Sequence, residues 1–195
     1  MKAWMISFRK NSYPELYIYD ALRYIYIYNA LLKNEFRDEI LKSLKKLNHN
    51  IYDVRIGKSH IEISSFSLLN KIIARLFGNK YKIINVDSLK NNKLLENAIK
   101  YISMEYYWVA HEILENIWHE ATGKIKNTYQ FLILLCVANI HEQRGHDQTA
   151  EIVINRALKI DTEDTLKSIN IKILKNMAID GKWNNINTYF LSLNA

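Results

Sequence analysis

The run Ile51-Tyr52-Asp53-Val54-Arg55-Ile56-Gly57-Lys58-Ser59-His60-Ile61-Glu62-Ile63-Ser64 decides the fold class. Ile51–Arg55 and His60–Ser64 are short alternating segments on either side of Gly57-Lys58, the signature of a β-hairpin. Gly57-Lys58-Ser59 superficially resembles a phosphate-binding loop. That motif needs a second glycine five residues earlier, where this chain has Tyr52, and it must open a helix. Strand follows here, so the glycine marks the hairpin turn.

Outward from the hairpin, Ser67–Phe77 reads as a helix stopped at Gly78-Asn79, and Lys80–Val86 as a strand. Toward the N-terminus, Lys2–Phe8 alternates loosely and reads as a strand. Pro14 with Glu15 is a helix-start signal. The pattern from Glu15 to Leu47 is helical, with a break near Lys33-Asn34. The resulting order, β-α-β-β-α-β, is that of a ferredoxin-like split βαβ unit. The polar run Asp87-Ser88-Leu89-Lys90-Asn91-Asn92 marks a boundary, and everything beyond it reads as helix. Gly123, Gly145 and Gly181 punctuate those helices, and Asp147 and Asp161 are expected N-caps. The expectation is an α+β protein: an α+β domain over residues 1–88, then an all-α bundle over 89–195.

Bulk properties fit this. The chain has 195 residues, 49% hydrophobic and 24% charged, with one proline and five glycines, which leaves little room for long linkers. Its one cysteine, Cys136, lies in an apolar run and reads as a buried thiol. Met1–Phe8 is too short for a signal-peptide h-region and the longest apolar stretch, Phe131–Ala138, is too short to span a bilayer, so a cytoplasmic location and no membrane partner are expected. The formal net charge is +7. It would favour a polyanionic partner, and a nucleic acid is one option, but the basic residues are spread along the chain and not gathered in one tract. The tyrosines from Tyr13 to Tyr28 read as a packed face or a homo-oligomer interface.

The chemistry concentrates in Trp108-Val109-Ala110-His111-Glu112-Ile113-Leu114-Glu115-Asn116-Ile117-Trp118 and in His141-Glu142-Gln143-Arg144-Gly145. Ionised groups on otherwise apolar helices must be paired or liganded. A zinc-protease reading of His111-Glu112 fails, because position 115 is Glu where a second His is required. At 100° per residue, His111, Glu115 and Trp118 share one helix face. On the next helix, Gln130 and His141 project within about 20° of each other. If the two helices pack antiparallel, imidazole, carboxylate, imidazole and guanidinium meet in one groove beneath Trp118. Two readings stay open. In one the groove is a buried structural network. In the other it is a site for a small ligand, for general acid–base chemistry, or for a divalent metal held by His111, Glu115 and His141.

These stretches resemble the domain-of-unknown-function family numbered 309. Its pattern is aromatic-x-Ala-His-Glu-x-Leu-Glu-x-x-Trp, then a Gln-led apolar helix ending in His-x-x-Arg-Gly. The resemblance covers roughly Asn92 to Ile160 and implies a small helical bundle of bacterial or archaeal type. It places the family's polar signature on His111, Glu112, Glu115, Trp118, Gln130, His141, Arg144 and Gly145. This chain has Phe131 where the family usually has Gly, and Leu134 where a second Gln is common, so a bulkier and drier groove is expected. The resemblance implies no reaction, and whether the chain is an enzyme stays open. The leading reading is a groove for a small ligand or divalent metal, with His111 and His141 as acid–base or metal groups and Arg144 as an anion partner. A protein-interaction or scaffold module is the alternative, and a nucleic-acid binder the third.

Overall fold

The computed structural model describes residues 22–88 and 93–193. The first part is a four-stranded sheet: β1 (Tyr24–Asn29), β2 (Ile51–Ile56), β3 (His60–Ser65) and β4 (Tyr81–Asn85). The order is β2-β3-β1-β4, with every neighbouring pair antiparallel. Helix α1 (Arg37–Leu47) joins β1 to β2 across β3, and α2 (Asn70–Phe77) joins β3 to β4 across β1. This is the split βαβ arrangement that the element order suggested.

One element of that order moves. The sequence pattern makes Glu15–Leu47 helical, yet Tyr24–Asn29 is the strand that opens the unit. Tyr24-Ile25-Tyr26-Ile27-Tyr28 is an aromatic and β-branched run with both faces covered. Such a run loses its alternation of polarity and is easily mistaken for a buried helix. Its even residues face the helices: Tyr26 is fully buried, 5.7 Å from the Tyr81 ring, and Tyr28 lies 5.5 Å from Phe77. Leu44, Ile61, Ile63 and Ile73 complete that core. Ile25 and Ile27 point the other way and join a second core with Ile84, Val86 and the C-terminal helices. The strand and helix start expected at Lys2–Phe8 and Pro14 lie outside the described residues.

The helical part comprises α3 (Leu94–Ser103), α4 (Tyr107–Glu120), α5 (Gly123–Gln143), α6 (Asp147–Ala157), α7 (Ile171–Ile179) and α8 (Ile186–Ser192). Consecutive helices pack as antiparallel hairpins from α3 to α6, and α8 closes against α3. Gly145 ends α5 with φ 71°. The amide of His146 donates to the His141 carbonyl at 2.9 Å, and that of Gly145 to the Glu142 carbonyl at 2.8 Å, which is a Schellman closure. The helix expected to start after its cap at Asp161 begins only at Ile171. A short hairpin of β5 (Thr165–Leu166) and β6 (Ile169–Asn170) precedes α7, with Lys167 at φ 51°. Asn170 caps α7 by accepting from the Ile173 amide at 3.1 Å, which replaces the cap expected from Asp161. Asp147 is the first residue of α6, and no side-chain cap forms there.

Candidate functional site

Helix α4 offers two faces. Val109, Ala110, Ile113 and Leu114 are fully buried in the helical core. Trp108, His111, Glu112 and Glu115, at i, i+3, i+4 and i+7, form the other face and meet the sheet. The facing surface of the sheet is polar, because β-pairing puts Asp53, Arg55, Glu62, Ser64 and His60 on the same side as Ile25 and Ile27. A hairpin whose polar residues faced water would be ordinary. Here Arg55, His60, Glu62 and Ser64 are buried.

Two arginines from the sheet fasten the seam. Arg23, one residue before β1, donates from Nη2 and Nε to Asp87 at 2.7 and 3.0 Å, and from Nη1 to Glu112 Oε2. Burial alone would lower the Arg23 pKa. The Asp87 hydrogen bond and the charges of Glu112 and Asp87 overcome that and hold it above its ordinary value. Burial pushes the Glu112 carboxyl up, against the pull of His111 and Arg23. Arg23 stays protonated throughout, so Glu112 is the member of the pair that loses its charge as the pH falls. Asn116 extends the contact, its amide 3.4 Å from the Val86 carbonyl. The second arginine, Arg55, lies with Cζ 3.2 Å from the centre of the Trp108 ring, a cation–π contact.

The same indole stacks on His111, with centroids 4.9 Å apart and planes 23° from parallel. His111 stands between two carboxylates: Nδ1 is 3.8 Å from Glu112 Oε1, and Nε2 is 3.6 Å from Glu115 Oε1. Neither separation is a hydrogen bond, and Nδ1 is buried without a partner among the described residues. One donor atom from each of His111, Glu112 and Glu115 falls within 4.8 Å of the others. Tyr52 also borders the seam. Burial, reinforced by the charge of Glu112, raises its phenol to about 12 and keeps it neutral.

Other residues singled out by spacing lie apart from this group. Trp118 packs under Lys126, whose Nζ is 4.3 Å from the ring centre, so Trp108 is the indole that covers the site. Gln130 is half-buried on α5 and makes no hydrogen bond to a described residue. His141 is buried, with its ring centroid 6.1 Å from that of His146, and the three-donor group contains Glu112 in its stead. Burial, with the charges of Arg144 and His146, depresses the His141 pKa. Glu142 accepts from Asn184 at 2.9 Å. Cys136 is fully buried, and burial raises its thiol pKa, as expected of an inert side chain. Arg23, Asp53, Arg55 and Asp87 escaped the sequence reading. For Asp53 and Arg55 the one signal was that the polar positions of the Ile51–Ser64 hairpin carry both charge signs, the pattern of a paired face; Arg23 and Asp87 had none.

Part of the helical region is similar to a known family. Residues 95–153 match the family described as Domain of unknown function (DUF309). The DUF309 segment begins in α3 and ends in α6, so it contains the whole motif face of α4. The sheet that covers this face, and the arginines in it, lie outside the DUF309 match. No curated protein and no solved structure matches the chain. No helix among the described residues is long and apolar enough to cross a membrane.

Proposed function

We propose that the chain binds a divalent cation at His111, Glu112 and Glu115, in the seam between sheet and helices. The observation that carries this is one donor atom from each of His111, Glu112 and Glu115 lying within 4.8 Å of the others, with His111 making no hydrogen bond to either carboxylate. Metal–ligand bonds of about 2.0–2.2 Å in tetrahedral geometry set neighbouring ligand atoms roughly 3.3 Å apart. A cation takes one of the two imidazole nitrogens, and one donor atom from each side chain lies within 4.8 Å of the others, so the three must close by up to about 1.5 Å, a side-chain rotation, to bind it. Arg23 occupies Oε2 of Glu112 and leaves Oε1 directed at His111. One imidazole and two carboxylates suit Zn²⁺ or Mn²⁺, and three protein ligands leave coordination positions open for a further group.

A second reading has an observation of its own. The ion pair of Arg23 with Glu112, and Arg55 on Trp108, make the motif face a docking surface for the chain's own sheet. On that reading the polar network is structural and the helical part is an interaction module.

Thermal melting separates the two. In EDTA, then with Zn²⁺, Mn²⁺ or Mg²⁺ at about 100 times its Kd, one cation should stabilise the fold by about 2.7 kcal/mol. That is a rise of roughly 5–10 °C. His111→Ala should abolish the rise. Melting that is identical with and without every cation, together with a loss of about 1–3 kcal/mol in His111→Ala, would leave only the structural network.

A further inference from the structure

Three guanidinium groups meet where the turn before α1 reaches the end of α5. Asn34 donates from Nδ2 to the carbonyl of Gln143, which brings that turn against the helix end. Arg37 donates from Nε to the Val54 carbonyl at 2.8 Å and from Nη2 to Asp53. Arg55 gives Nη2 to the other oxygen of Asp53 and Nη1 to Ser64 at 3.0 Å. The Asp53 carboxylate is thus saturated by two arginines. Burial would raise its pKa, and Arg55, Arg37 and Arg144 together hold it below the usual carboxylate range.

Arg144, the residue after Gln143, is the third guanidinium. It is half-buried, with Nε fully covered, yet it makes no hydrogen bond or ion pair to any described residue. Arg37, Arg55 and Asp53 are all close enough for their charges to act on it. Arg37 is further paired with the exposed Asp38, and Arg55 lies opposite the buried Glu62 and acts on Glu112, so Arg144 is the member of the three without an ion pair of its own among the described residues. An unsatisfied guanidinium beside two others is costly to hold unless an anion completes it.

We propose that Arg37, Arg55 and Arg144 form a phosphate-binding site, with Arg144 as the residue that grips the anion. A planar guanidinium offers two parallel N–H donors to a phosphate, which Lys cannot reproduce. Arg37 and Arg55, locked on Asp53, supply the field. The unpaired guanidinium of Arg144, in the positive field of the other two, matches a phosphate oxyanion, free or as a monoester. The site uses none of the three groups assigned to the cation, and Arg144 touches none of them, while Arg55 lies on the Trp108 ring that stacks on His111.

Calorimetric titration with inorganic phosphate and with a nucleoside monophosphate, in EDTA at low salt, tests this on the full chain. Saturable binding is expected, weakened about tenfold or more in both Arg144→Gln and Arg144→Lys. Tighter binding of the inorganic ion would identify free phosphate as the ligand, and tighter binding of the monoester a phosphorylated metabolite. Without phosphate, Arg144→Gln should melt no lower than the parent chain, because it removes a repelled charge and no hydrogen bond. Binding that is absent, that is unchanged in Arg144→Gln, or that is matched by a dicarboxylate would overturn the proposal. So would a clear destabilisation by Arg144→Gln, which would make Arg144 a structural residue.

Discussion

Removal of Arg23 should damage the fold more than removal of its partner, and the sign of the Glu112 effect should reverse between backgrounds. Only 8% of the Glu112 side chain is exposed, against 21% of Arg23. In Arg23→Ala the buried carboxylate loses its hydrogen-bonded partner and keeps only the longer-range charge of Arg55, with the His111 imidazole 3.8 Å away. Breaking a buried pair in this way costs about 3–5 kcal/mol. For a chain of this size that corresponds to a fall in Tm of roughly 10 °C. Glu112→Gln is milder, because Arg23 retains Asp87 at 2.7 and 3.0 Å, and about 1–2 kcal/mol is expected. In the Arg23→Ala background the same Glu112→Gln change removes an unpaired buried charge, so it should restore stability. The coupling energy should be about 1–3 kcal/mol. Urea unfolding of the four proteins at pH 7 measures it. Additivity within about 0.5 kcal/mol, or a destabilising Glu112→Gln in both backgrounds, would refute the pairing as the fastener of the seam.

Two further outcomes follow from geometry. A Cβ on Gly57 would lie 2.2 Å from the His60 ring, which is buried and 4.5 Å from Tyr106, so Gly57→Ala should cost about 1–3 kcal/mol. The cost should shrink in a Gly57→Ala/His60→Ala double variant, and a cost equal in both backgrounds would contradict the clash. Burial holds the His141 pKa below its ordinary 6.5, so below that pH the unfolded chain binds a proton that the folded chain refuses. Stability is therefore full above pH 6.5 and falls as the pH drops toward the depressed value. Unfolding free energies from pH 7 to pH 5 should show a weaker slope in His141→Gln, and equal slopes would remove His141 as the cause.

The parts of the fold that were legible are those specified by neighbours in sequence. The Ile51–Ser64 hairpin announced itself by alternation around Gly57, and the end of α5 by Gly145. The antiparallel arrangement of α4 and α5 followed from the short connection at Gly123. Strand β1 was hidden because both its faces are covered, and its partners β3 and β4 are distant in sequence. The β5–β6 hairpin was hidden because its turn, Lys167-Ser168, lacks the glycine or asparagine that usually marks a positive φ. The site was half visible. Helical spacing placed His111 and Glu115 together, and the structure adds Trp108 and Glu112 to that face. Nothing local to α4 could show that a sheet lies on it, since Arg23 and Arg55 reach it only through tertiary packing.

The charged layer beneath the sheet also acts as a key for strand alignment. A one-residue slip of β1 would exchange its two faces, turning Tyr24 and Tyr26 toward α4 and displacing Ile25 and Ile27. Apolar packing alone discriminates weakly between these arrangements, because tyrosine and isoleucine both tolerate a half-buried surface. A misaligned strand would also draw Arg23 away from Glu112 and strand a buried carboxylate, an error costing several kcal/mol. The ion pair thereby penalises the misaligned sheet more than it favours the aligned one, and lets a strand that alternates tyrosine with isoleucine settle in a single register.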